Sequence, residues 1–347
     1  MRHFVGKLAY LSLLITMSIS LVGCKKDPSY DIHTEDQAAF LSGEYKLISI
    51  YADGKKEASK PVPVTLNWDE FGDKNYKFYL SKDSEFNVID ATYECSSNYI
   101  SLENLEINTN YYWYVSSDNK DSKVKKFSIN NQAPRNLNID GLTNARDLGG
   151  YKTSDGSYTN QGLIYRTSRL NENETTTNLI TEKGISEMKD HLKIKSELDI
   201  RRTDNNENGG ITTSPLGSDV NYYSIPMRSG GNCILLNKDV LKDAFKILGQ
   251  KENYPIVIHC SIGTDRTGML CFLINALLDV GEDDLYRDYL FSNFGNIGGS
   301  RFPSTIKDYL KTLNNADGNT IKEQAFNYLI NVGVQESDIN QLIEIMK

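Results

Sequence analysis

At 347 residues, with 39% hydrophobic and 24% charged residues and a formal net charge of −8, the chain is globular in composition and long enough for two domains at roughly 150 residues each. The apolar content argues against disorder, and the acidic balance argues against nucleic acid as a partner, which would call for a basic face.

In chain order, Arg2, His3 and Lys7 precede an apolar run from Leu8 to Val22 that closes in Leu21-Val22-Gly23-Cys24. A basic start, an apolar middle and small residues before a cysteine make a secretory leader. The last four residues resemble the bacterial lipobox, which implies removal of residues 1–23 and lipidation of Cys24. The expectation is a lipid-anchored protein of the bacterial envelope, facing the periplasm or the surface. An uncleaved membrane anchor fits less well: the run is shorter than the about 20 apolar residues a span needs, and it holds Ser12, Ser18 and Ser20. Residues 24–40 are polar, contain Pro28 and show no period, so they read as a tether.

Over residues 41–131 the pattern becomes short alternating runs at Tyr45 to Tyr51, Val64 to Trp68, Tyr76 to Leu80, Asn98 to Leu102, Tyr111 to Val115 and Val124 to Ile129. Gly, Asp, Asn and Ser separate them, which predicts an all-β sandwich. Leu105-Glu106-Ile107-Asn108-Thr109-Asn110-Tyr111 resembles the L-x-P-x-T-x-Y corner of fibronectin type III domains, with Ile107 in place of proline, and Trp68 stands where those domains carry a core tryptophan. The resemblance implies seven strands and a spacer or docking role; a protein or glycan contact face is the other reading of the many aromatic residues.

Asn131-Gln132-Ala133-Pro134 breaks this pattern and marks a boundary. From 132 to 347, strands and helices alternate, which predicts an α/β domain with a mostly parallel sheet flanked by helices. Leu163 to Ser168, Leu198 to Arg201 and Tyr254 to Ile258 read as strands. Thr181 to Met188, capped by Thr181, reads as a helix, as do Asn237 to Gln250, Met269 to Leu278, Asp283 to Phe294, Ser304 to Leu313, Ile321 to Asn331 and Ser337 to Met346. A helical lid is expected around Phe291 to Phe302.

The chemistry is concentrated in His259-Cys260-Ser261-Ile262-Gly263-Thr264-Asp265-Arg266-Thr267-Gly268, between a predicted strand and a predicted helix. Successive N–H groups at a helix N-terminus form an anion-binding nest, so Ser261, Ile262, Gly263, Thr264, Asp265 and Arg266 are candidate phosphate ligands, with Arg266 clamping two oxygens. The same field favours the thiolate of Cys260, the candidate nucleophile. This H-C-x-x-G-x-D-R-T-G loop resembles the signature of the cysteine-dependent protein tyrosine phosphatase superfamily, in the D-R-T-G form of its bacterial tyrosine and lipid phosphatase branch. Asn144-Ala145-Arg146-Asp147-Leu148-Gly149-Gly150-Tyr151, Leu163 to Ser168 and Tyr286 to Ser292 resemble further segments of that branch, so the likeness runs from about Asn144 to the C-terminus.

The resemblance implies a phosphate monoester hydrolase working through a phosphocysteine, with no metal or other cofactor, on a phosphotyrosine protein or a phospholipid. It implies that Thr267 hydrogen-bonds the cysteine sulfur, that His259 orients the loop, and that Asp265 is the general acid. A guanidinium beside a carboxyl favours its ionised form, which counts against Asp265, and Asp199, Asp204 and Asp219 are the alternatives. Arg146 and Asp147 read as scaffold, as an internal ion pair; Asp199 and Arg201 either face the loop or pair with each other or with Arg202. Relatives that accept phosphoinositides often carry lysine where this chain has Thr264, so phosphotyrosine is expected to be preferred over inositol polyphosphates. The rival readings are a phosphoinositide or inositol polyphosphate phosphatase, and a surface adhesion or glycan-binding lipoprotein whose phosphatase domain is vestigial. Cys95, Cys233, Cys260 and Cys271 lack regular spacing, so no structural disulfide is expected, and His33, His191 and His259 lack metal-ligand spacing.

Overall fold

The computed structural model describes residues 27–130, 132–171 and 179–347. The leader and Cys24 lie outside the described residues. Among those described, no helix is long and apolar enough to cross a membrane.

The N-terminal part holds β1 (Ser29–Tyr30), α1 (Glu35–Ser42), β2 (Val64–Asn67), β3 (Tyr76–Ser81), β4 (Ala91–Cys95), β5 (Tyr99–Leu102), β6 (Asn110–Ser117), β7 (Lys120–Asp121) and β8 (Lys125–Ile129). One sheet runs β1-β8-β6-β3-β4 with β7 on β6, and β2 and β5 form a second, antiparallel pair. The first sheet is antiparallel except where β1 joins β8 in parallel, so it is mixed. The period-two pattern of β6 sends Tyr111, Trp113 and Val115 inward, to meet Trp68, Phe78 and Phe127 in a core of their own. The backbone N–H of Glu106 donates to the Tyr111 hydroxyl at 2.8 Å, closing the corner whose residues are spaced for it.

Two expectations fail in this part. The run from Tyr45 forms 3-10 turns over Tyr45–Ile50, broken by a kink at Leu47, and the residues it buries, Tyr45 and Ile48, are three apart rather than two. Within the stretch read as a tether, Ser29–Tyr30 forms β1 against β8 and the chain from Glu35 forms α1. Thr34 and Gln37 make a reciprocal capping box, Gln37 N–H to Thr34 Oγ1 at 3.2 Å and Thr34 N–H to Gln37 Oε1 at 2.9 Å, a T-x-x-Q signal present in the sequence. Phe40 and Leu41 of α1, with Tyr45 and Ile48, are buried in the core of the C-terminal part.

That part contains β9 (Arg146–Asp147), β10 (Ile164–Thr167), α2 (Glu182–Ser186), β11 (Ser196–Asp199), β12 (Asn221–Ser224), α3 (Cys233–Asn237), α4 (Leu241–Leu248), β13 (Ile256–His259), α5 (Asp265–Leu277), α6 (Glu282–Phe291), α7 (Ser304–Leu313), α8 (Ile321–Asn331) and α9 (Glu336–Met346). Its sheet has the order β12-β11-β13-β10-β9, parallel except for the antiparallel edge strand β9. Helix α5 is apolar almost all round and every residue from Arg266 to Leu277 is buried, as befits the central helix of the domain. The expected lid is not helical. After α6 the chain makes a 3-10 turn, Ser292–Phe294, and then runs as an irregular loop to α7, because residues 53–58 bond its backbone from outside: Gly54 N–H to Asn293 O at 2.9 Å, Ala58 N–H to Phe294 O at 2.7 Å and Ile297 N–H to Gly54 O at 3.1 Å.

Candidate active site

In an open α/β sheet the ligand crevice lies beyond the carboxyl ends of the strands. Parallel register puts the ends of β10, β11 and β13 level there, with Thr167 and Asp199 both opposite His259. The chain then turns through residues 260–264 into α5. Gly263 makes the turn possible: its φ is +70°, and a Cβ there would lie 2.3 Å from the Thr167 carbonyl oxygen. The loop's own carbonyls are drawn outward. Ser261 O accepts from Arg169 N–H at 3.2 Å, Ile262 O and Gly263 O accept from Asn144 Nδ2 at 3.2 Å each, and Gly263 O accepts from Arg166 Nη2 at 2.7 Å. Carbonyls held this way turn the intervening N–H groups toward the cradle.

Cys260 sits at the bottom, 2% exposed. Burial opposes its thiolate, but the Arg266 guanidinium and the Thr267 side chain and backbone N–H outweigh burial and bring the thiol below its ordinary value. The Thr267 hydroxyl is buried and makes no ordinary hydrogen bond among the described residues, which leaves it free for the sulfur. Cys271, one helical stretch further along α5, shows the contrast: burial pushes it up to about 11. The described cysteines are all free thiols.

Arg266 is held by a residue the sequence reading missed. Glu207 takes it in a two-point grip, Nη1 to Oε2 at 2.8 Å and Nη2 to Oε1 at 2.5 Å, and the Ser261 hydroxyl also donates to Glu207 Oε1. Partial burial opposes the charge on Glu207, but the bonds from Arg266 and Ser261 prevail and bring its carboxyl down to about 2. Nothing local marks Glu207 in a polar stretch rich in Asn and Gly.

Asp265 opens α5 at the rim, and both its oxygens are acceptors. Oδ1 accepts from Arg301 Nε and from the Tyr289 hydroxyl, each at 3.0 Å, and Oδ2 accepts from Arg301 Nη2 at 3.3 Å. Arg301 comes from the loop after α6 and also donates to Thr264 Oγ1 at 3.3 Å. A second cation therefore stands at position 264 of the cradle, where the sequence alone shows only threonine.

The alternative acids are taken by other partners. Asp199 and Arg201 do pair, Nε to Oδ1 at 2.9 Å and Nη2 to Oδ2 at 2.6 Å, and Tyr222 donates to the same carboxylate at 2.9 Å; all of Asp199 is buried. Asp219 precedes β12 and pairs with Lys189 at 2.7 Å on the surface, at the amino end of the parallel strands, opposite the cradle. Asp204 pairs with Arg202 at 2.6 Å in the open.

His259 lies wholly inside, Nε2 at 2.8 Å from Glu197 Oε1 and Nδ1 at 3.9 Å from Asp199 Oδ1. Burial disfavours its imidazolium, yet Asp199 and Glu197 outweigh burial and raise its pKa. These three side chains have the donor types of a metal site, with ligand atoms within 4.8 Å of one another. Arg201 pairs with Asp199 and the His259 ring bonds Glu197, so the group is a hydrogen-bonded charge cluster beneath the loop.

Arg146 and Asp147 are not an ion pair with each other. Neighbours on a strand point to opposite faces, so Arg146 reaches Asp288 at 3.0 Å and Asp147 reaches Arg135 at 2.9 Å. Asp288 also binds Arg166 at 2.5 Å and accepts from Tyr151 at 3.1 Å, and through Arg166 this buried node holds the Gly263 carbonyl.

A strand, an anion nest, a thiol below its ordinary range and a guanidinium over it define a cysteine-dependent phosphatase site. The sequence pattern of the tyrosine phosphatase family matches residues 137–345, more than half of the chain, and the chain belongs to that family. A candidate tyrosine-protein phosphatase of Cupriavidus necator is 24% identical over 191 residues, 48% of this chain and 66% of that protein, so the chain spans just under two thirds of that relative's length. Among solved structures, the catalytic core of the PP-IP phosphatase SIW14 from S. cerevisiae, in complex with citrate, is 22% identical and covers 44% of this chain and 83% of its own, with a TM-score of 0.31. TpbA of P. aeruginosa in complex with pTyr is 14% identical over 54% of this chain and 87% of its own, with a TM-score of 0.27. At these TM-scores the assignment rests on the family match and on the site itself.

Proposed function

We propose that this protein is a cysteine-dependent phosphatase that hydrolyses phosphotyrosine in proteins. The Cys260 thiolate attacks phosphorus; the S–P bond forms as the bond from phosphorus to the tyrosine oxygen breaks, and Asp265, protonated for this step, gives its proton to the leaving oxygen. Water then attacks the phosphocysteine, yields a proton to the Asp265 carboxylate, and releases phosphate and the thiolate. Arg266 and the loop N–H groups carry the charge on the equatorial oxygens throughout, and Glu207 holds Arg266 in its plane. The buried Cys260 thiol at the foot of the nest, with Arg266 of the same loop gripped by Glu207, is the observation that carries this reading.

The test is Cys260→Ser in the full chain. Turnover of a phosphotyrosine peptide should vanish while inorganic phosphate still binds, because the nest and Arg266 remain; turnover near the wild-type level would falsify the mechanism. Two further parts belong to the same proposal. The leader and the lipobox-like Leu21 to Cys24 support a protein held at a bacterial membrane by a lipid on Cys24, and Cys24→Ala should release it from the membrane fraction. The order of β2 to β8 and the Tyr111 corner support a fibronectin type III-like module.

A further inference from the structure

At the rim of the cradle, the residue proposed to deliver a proton is in no position to do so. Both Asp265 oxygens accept hydrogen bonds, and two of the three come from one guanidinium, that of Arg301. A carboxyl gripped at both oxygens by one guanidinium is turned toward Arg301 rather than toward a leaving group. Arg301 itself is on a built mount. Its backbone N–H donates to Asn293 Oδ1 at 2.8 Å and its carbonyl accepts from Asn293 Nδ2 at 3.1 Å, while the loop before it is bonded to residues 53–58. The backbone is thus fixed, and the guanidinium, with 21% of its side chain exposed, is the part able to move. Its Nη2 contact to Thr264 Oγ1 places it beside the phosphate position, so an anionic group flanking a bound phosphoryl would compete directly with Asp265.

We infer that Arg301 is a specificity-determining residue: it latches Asp265 in the empty site and exchanges that carboxylate for an acidic side chain flanking the phosphotyrosine of a peptide, freeing Asp265 for acid catalysis. This rests on the phosphatase reading above. The freed carboxyl turns to the tyrosine oxygen, which takes the Asp265 proton as the bond to phosphorus breaks. A peptide suits the rim better than an inositol headgroup. Phe302, the next residue, is 58% exposed and offers apolar surface that a peptide side chain can cover and a polyol cannot. The chain's acidic balance also favours one added carboxylate over a polyphosphate.

The experiment uses the full chain and two phosphotyrosine peptides alike except for Glu or Gln at the flanking positions. The wild type should show kcat/KM about tenfold higher for the Glu peptide, the value of one charge-assisted hydrogen bond. Arg301→Gln should bring that ratio close to one and raise kcat on the Gln peptide, because Asp265 is no longer latched. Arg301→Lys, which keeps the charge and loses the two-point grip, should lie between, and it decides the matter should Arg301→Gln fail to fold. A wild-type ratio near one, or the same ratio in wild type and variants, overturns the inference. So does an Arg301-dependent preference for an inositol bisphosphate over both peptides, which would assign the cation to a second phosphate. Cys260→Ser is run alongside: turnover that survives it sinks the phosphatase reading, whereas turnover that needs Cys260 with an unmoved ratio sinks only the role of Arg301.

Discussion

Cys260 and Cys271 stand at the start and in the middle of the same buried segment, and both lose the solvation of a thiolate. What separates them is the guanidinium of Arg266 and the donors of Thr267, which only Cys260 has. An alkylating reagent at neutral pH should therefore modify Cys260 well before Cys271 or Cys233, and inorganic phosphate should protect it. Mass spectrometry of the labelled peptides reads the order, and equal rates would mean the field of Arg266 does not reach the sulfur. Asp265 is tested by leaving groups, since a nitrophenolate needs little protonation and a tyrosine phenolate needs more. Asp265→Asn should lower phosphotyrosine turnover far more than nitrophenyl phosphate turnover; an equal loss would leave Asp265 as a mere anchor for Arg301. Glu207 is a positioning residue. Glu207→Gln keeps the shape and loses the charge-assisted grip on Arg266, so kcat should fall by about tenfold to a hundredfold with KM changed much less. A matching rise in KM alone would place Glu207 among the substrate contacts instead.

At the scale of elements, the cradle is held by pieces that are distant in sequence. The node at Asp288 on α6 binds two buried arginines, one of which fixes the loop. Removing its charge leaves both guanidinium groups buried and undercompensated, so Asp288→Asn should cost about 3–5 kcal/mol of stability. Burial opposes the charge on Asp288, but Arg166 and Arg146 outweigh it and lower its pKa from 3.8. A lowered acid contributes stability above its unfolded value and loses it as pH falls through the folded one. The wild type should accordingly lose Tm on acidification below the ordinary aspartate range, and the variant should lose much less; parallel Tm profiles would show that Asp288 is not titrating. The segment at 53–58 is the other support. Gly54 has φ +73° and a Cβ there would meet Gly299 O at 2.3 Å, so Gly54→Val should push the loop that carries Arg301 away from Asp265.

For the whole molecule, the family pattern at 137–345 leaves out structure the site depends on. Phe40 of α1 packs against Phe294 with ring centroids 5.6 Å apart and against Phe291 at 6.5 Å, next to the loop after α6. Arg135 bonds the Leu105 and Asn104 carbonyls and Asp147, and Gln161 exchanges two hydrogen bonds with the Ile107 backbone, so the β-rich part is tied to the scaffold as well. A chain starting at Pro134 should fold with a much reduced Tm. Phe40→Ala in the full chain should cost about 3–5 kcal/mol. A truncated chain as stable and as active as the full one would show these contacts to be dispensable.

The amino-acid sequence by itself determined the cradle, because a strand, a glycine turn and a helix start within ten consecutive residues fix an anion nest by local geometry alone. It also determined β2, β3, β5, β6 and β8, whose period-two pattern is a local property, but not β4, and the alternating run at Tyr45 became a 3-10 helix. Only the tertiary structure decided which charges meet. Glu207 reaches Arg266 from 59 residues away and Arg301 reaches Asp265 from 36, and ion pairs carry no periodicity that a sequence could display. Adjacent Arg146 and Asp147 looked like partners and are not, since a strand sends neighbours to opposite faces. The stretch around α1 looked like a tether because its one buried face is short. Its polar remainder outweighs it in the sequence, and the packing surface that makes it a helix belongs to α6 and the loop beyond, some 250 residues later.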